Sequence, residues 1–68
     1  MYSLPMAKEL GISQHLLERA LNLFGEKYPK DEVIFALEER NLRFFFDKVE
    51  SREMSEVVDD LSETFSSM

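Results

Sequence analysis

The side chains able to do chemistry are few, and their spacing limits what they can do. His15 is the only histidine, cysteine is absent, and there are two glycines. A neutral imidazole can serve as a general base or meet the edge of a nucleobase. Alone it makes no metal pair, and without a thiol there is no cysteine nucleophile. Two glycines are too few for a phosphate-cradling loop. The carboxylate pairs Glu38-Glu39 and Asp59-Asp60 are adjacent in sequence. On a helix such neighbours point about 100° apart, so neither pair readily shares a proton or a metal, and both read as solvated faces. Phe24 and Tyr28 beside Lys27 and Lys30 have the makings of a stacking platform for nucleic acid, and equally of a loop anchored on a core. The expectation is a protein with no catalytic residues, no metal, no cofactor and no small-molecule substrate.

The elements that carry these groups are organised around residues 6 to 24. Ser3 can cap a first helix with Pro5 in its first turn, where a missing N–H costs little. Gly11 stops that helix, because glycine takes a left-handed terminus without a Cβ penalty. Ile12 then enters the core and Ser13 caps again. From there Leu16, Leu17, Ala20, Leu21, Leu23 and Phe24 share one side at helical spacing. Gln14, His15, Glu18, Arg19 and Asn22 share the other. Gly25 is the expected stop.

The string AKELGISQHLLERALN resembles the helix-turn-helix of bacterial transcription regulators, the lactose-repressor type in particular. Ala7 matches the first helix, Leu10-Gly11-Ile12-Ser13 the turn, and Leu17 and Arg19 the second helix. In that family the second helix enters the major groove and reads base edges from its N-terminal residues. The resemblance therefore implies Gln14, His15 and Arg19 as DNA-reading residues, Gln for adenine and Arg for guanine. Residues 11 to 21, GISQHLLERAL, are also similar to the loop and second helix of ubiquitin-associated three-helix domains. There the contact loop would be Leu10-Gly11-Ile12.

Residues 25 to 30, GEKYPK, punctuate the chain as a loop, and Asp31 can cap or open a third helix. The segment DEVIFALEERNLRFFFDKVE contains no breaker. As one unbroken helix it would carry an apolar arc of roughly 220°, far wider than the ~100° of an ordinary surface helix. Two outcomes follow. The helix bends near Asn41, so that a fourth helix covers the second stripe, or the Phe44, Phe45 and Phe46 surface packs on another chain. The last helix, capped by Ser51 or Ser55, has an apolar stripe of Met54, Val57, Val58, Leu61 and Phe65 opposite Glu56, Asp59, Asp60 and Glu63. Phe44, Phe45, Phe46, Val57, Leu61 and Phe65 are thus the candidates for a partner or dimer interface.

Net charge is −6, and its placement matters more than its size. Residues 1 to 52 hold all eight bases against nine acids, whereas residues 53 to 68 hold five acids and no base. DNA affinity rests on cations that neutralise phosphates, and this chain offers few to spare. The expected fold is all-α, a single domain with a small bundle of four helices at about 4–10, 14–24, 31–49 and 53–65, its first two forming a helix-turn-helix-like corner. Nothing resembles a membrane span or a signal peptide, so a soluble, cytoplasmic chain is expected. The functional expectation is a small non-catalytic regulator whose corner serves transcription-related binding while the acidic last helix stays turned away. The alternative is an acidic adaptor or inhibitor that binds protein and not DNA. Another protein or a second copy is the expected partner, with duplex DNA the other candidate.

Overall fold

The computed structural model describes residues 4–67, and among them five helices and no strand are found. These are α1 (Leu4–Leu10), α2 (Gln14–Gly25), α3 (Lys30–Glu38), α4 (Leu42–Phe46) and α5 (Arg52–Ser66). The expected cap at Ser3 lies outside the described residues. The class is all-α as expected, but the expected third helix is two helices, so the bundle has five members and not four.

Two helix ends use one piece of backbone chemistry with different residues. At the end of α1, Gly11 has φ 76°, and the N–H groups of Gly11 and Ile12 donate to the carbonyls of Lys8 and Ala7 at 3.2 and 3.1 Å. These crossed bonds satisfy carbonyls that have no partner inside the helix, and Ala7 and Ile12, at the two ends of the second bond, are both buried. The end of α3 repeats the pattern. Arg40 has φ 54°, and the N–H groups of Arg40 and Asn41 donate to Leu37 and Ala36 at 3.2 and 2.8 Å. Asn41 then starts α4, its side-chain Oδ1 accepting from the Phe44 N–H at 3.3 Å. The break comes at Glu39–Asn41, where the bend was expected, and it is a full termination with a new cap.

Serine caps α2 and α5 as expected, Ser13 accepting from Leu16 N–H at 3.0 Å and Ser51 from Met54 N–H at 3.2 Å. Gly25 ends α2 as expected, the chain leaving through Glu26 in right-handed geometry. Its missing Cβ also matters for space, because a methyl there would lie 3.1 Å from Lys30 Cγ. Asp31 stands in the first turn of α3 and is not its cap; the helix begins at Lys30 after Pro29, which has no side chain to offer the first turn.

The amphipathic α2 is the hub. It packs on α5, α3 and α1, while α4 closes the far side against α5 and α3. The largest side chains of the interior are Leu17, Leu21, Phe24, Val33, Leu37, Phe45, Val57, Val58 and Leu61, each fully buried. Burial of each contributes about 1.5–3 kcal/mol relative to exposure. Phe45 meets Phe24 edge-on with ring centroids 5.1 Å apart. The radius of gyration is 10.7 Å, close to the ~11 Å expected of a compact chain this size.

Candidate functional site

Two faces of this frame carry the residues singled out by sequence. On the first, the corner of α1 and α2 forms, and Gln14, His15 and Arg19 stand on the outer side of α2. His15 is exposed. Gln14 donates from Nε2 to Glu18 Oε2 at 3.1 Å, one turn on. Arg19 is drawn across to α5, its guanidinium 3.2 Å from Asp60 Oδ2 and 3.9 Å from Glu56 Oε1. The acidic helix is therefore not turned away from the corner, contrary to expectation. Its carboxylates flank the expected reading face because α5 packs its apolar stripe against α2 as well as α4, which brings Asp60 within reach of Arg19. Glu63 joins Asp60 on the wall of an open cleft of about 340 Å³ that also takes in His15.

The ion pairs themselves are partly exposed and worth about 1 kcal/mol or less. Fixed negative charge along the cleft matters more, since it opposes a phosphate backbone at short range. The turn of the corner is equally committed: Leu10 and Ile12, the contact loop of the ubiquitin-associated resemblance, are 6% and 7% exposed and belong to the core.

The expected interface set divides. Phe45, Val57 and Leu61 are fully buried inside the chain and present nothing to a partner, which corrects that expectation. The physical reason is the helix break, which turns α4 so that Phe45 faces Phe24 and α5. Phe44 and Phe65 are half-buried against the core. Arg40 lies over the Phe65 ring at 5.8 Å. Phe46 is 54% exposed and Phe35, which sequence did not single out, is 62% exposed. The signal for Phe35 was present: with Val33, Ala36 and Leu37 facing inward, a residue between them must face out.

Phe35 stands at the second face. With Ala36 and Phe44 it walls an open slot of about 270 Å³ between α3 and α4, where Asp31, Glu32 and Asn41 also line the opening. Asp31 and Glu32 are exposed and neither forms an ion pair among the described residues. Phe44 is held from within, its ring 5.1 Å from that of Phe45 and 3.9 Å from Lys48 Nζ. Lys48 also lies 5.2 Å from the Tyr28 ring.

Tyr28 belongs to a clasp between two loops. Lys27 Nζ meets Glu50 Oε1 at 2.7 Å, and the Tyr28 hydroxyl donates to Glu50 Oε2 at 3.3 Å. The hydrogen bond and charge of Lys27 hold the Glu50 carboxyl below its usual range, and Glu50 raises Lys27 in return. Phe24 is fully buried, so the imagined stacking platform is a loop anchored on the core.

Among the described residues, no group of three or more His, Cys, Asp or Glu is gathered as metal ligands, and no helix is long and apolar enough to cross a membrane. The fold defines a compact all-α globule of short packed helices. No family model, no curated protein and no solved structure matches the chain.

Proposed function

We propose that this chain is a non-catalytic protein-binding module that meets its partner on the α3–α4 face, around Phe35 and the slot beside it. The observation that carries the reading is Phe35, 62% exposed on a helix whose other large side chains are spent on the core, next to an open apolar recess. An exposed aromatic of this kind is the usual anchor of a protein contact.

Duplex DNA read by Gln14, His15 and Arg19 is the second reading, favoured by the corner of α1 and α2. Glu56, Asp60 and Glu63 beside that corner weigh against it, as does the net charge of −6. One experiment addresses both. A random-peptide phage library is selected on the immobilised chain and depleted on its Phe35→Ser variant, which stays folded because the position is exposed. Peptides that hold the parent and not the variant are expected, and the parent retains no duplex DNA at low salt. Enriched peptides that hold both chains equally, or no enrichment at all, overturn the protein-binding reading. DNA retention lost in Arg19→Ala would restore the other.

A further inference from the structure

We infer that the slot between α3 and α4 takes one large apolar side chain from a basic segment of a partner protein, with Asp31 and Glu32 meeting lysine or arginine beside that anchor. The inference rests on the protein-binding reading above and adds the partner's chemistry. Size is the first argument. A recess of about 270 Å³ falls below the ~300–1,000 Å³ of pockets that enclose small-molecule ligands, and it lies open, as suits a single projecting side chain. Its walls of Phe35, Ala36 and Phe44 are apolar and match such an anchor.

Charge decides which segment brings it. Asp31 and Glu32 line the slot, are exposed, and have no ion-pair partner among the described residues. Four of the eight bases are engaged: Arg19 on α5, Lys27 on Glu50, Arg52 on Glu56, and Lys48 on the Tyr28 and Phe44 rings. A second copy of this chain brings another −6 and the same acidic rim, and nucleic acid or an anionic lipid surface brings more negative charge still. A cationic protein segment is the partner this arrangement attracts. Phe44, already fixed by Phe45 and Lys48, loses little freedom on binding, which favours affinity. The place of Asp31 and Glu32 in the first turn of α3 also suits the helix dipole, so the test must separate binding from helix stability.

Two synthetic helical peptides, identical except that one leucine is flanked at i−4 and i+3 by lysine in one and glutamate in the other, are titrated into the isotope-labelled full chain. Amide shifts and circular dichroism are followed. The lysine peptide is expected to move Phe35, Ala36 and Phe44 and the glutamate peptide to leave them still. Its affinity falls at least ~tenfold both in Asp31→Asn/Glu32→Gln, with helix content retained, and between about 50 and about 300 mM NaCl. Equal shifts from both peptides, lost alike in Phe35→Ser, leave the protein-binding reading standing and overturn the charge assignment. Shifts from neither peptide also overturn it, and the library selection then judges the broader reading by itself.

Discussion

Arg40 occupies backbone that favours glycine, at φ 54°, and is the one non-glycine residue to do so among the described residues. For an L-residue this costs about 1–2 kcal/mol. The side chain offsets the cost at a distance. Its guanidinium donates to the carbonyls of Leu10 and Glu38, each at 3.3 Å, and stands over Phe65. The Leu10 carbonyl is one of those left without a partner at the end of α1, so Arg40 ends its own helix and helps to end another. Substitution separates backbone from side chain. Arg40→Ala keeps the strain and loses the contacts, whereas Arg40→Gly loses the contacts and the strain together. Urea unfolding is expected to place the alanine variant about 1 kcal/mol below the glycine variant; equal stability would mean that the left-handed conformation costs nothing there. Sequence inspection reads Gly11 as a helix stop because glycine is the common residue at that position. It passes over Arg40 because nothing in an arginine announces a left-handed bend.

At the scale of elements, the decisive event is the division of residues 30 to 46 into α3 and α4. A single helix would have exposed one of its two apolar stripes. Stopping at Glu38 and restarting at Leu42 turns the second stripe, so that Phe45 is fully buried beside Phe24 while Phe35 stays outside. Two phenylalanines ten residues apart therefore have opposite energetic roles. Phe45→Ala is expected to cost about 3–5 kcal/mol in thermal or urea unfolding, enough to threaten a domain this small. Phe35→Ser is expected to change stability by no more than about 0.5 kcal/mol. Similar losses in the two would contradict the orientation of α4. The width of the arc on paper already required a bend or a partner, and Asn41 was the residue able to provide the bend. What remained hidden was which phenylalanine would be left outside, since that depends on the angle between α3 and α4.

At the scale of the whole molecule, the clasp of Lys27, Tyr28 and Glu50 joins the loop after α2 to the loop before α5 across more than twenty positions of sequence. Its pH dependence follows from two opposite shifts. The Glu50 carboxyl is held low by Lys27, so its contribution is full above the ordinary carboxylate range and is lost as pH falls through its depressed value. Lys27 is held high by Glu50, so its contribution is full below the ordinary lysine range and is lost as pH rises through its raised value. The clasp therefore acts across the whole neutral range. The difference in Tm between the parent and Glu50→Gln is expected to stay level from about pH 6 to about pH 9 and to shrink on acidification toward about pH 3. A difference that instead grows in acid would show that Glu50 is not the group being protonated. Charge at this scale also explains the arrangement of faces. Packing of α5 on α2 brings its carboxylates to Arg19 and makes the corner acidic, leaving the α3–α4 slot as the apolar opening.

By itself the sequence determined the helical class, the corner at Gly11, the caps at Ser13 and Ser51 and the inward stripes of α2 and α5, because periodicity, glycine and serine act through neighbours a turn or less away. Only the tertiary structure decided that Arg19 would be paired, that Phe45 would be spent on the core, and that Phe35 would stand beside two acids with no ion pair among the described residues. Each of these depends on the angle at which one helix crosses another, and that angle is set by packing among side chains far apart in the chain.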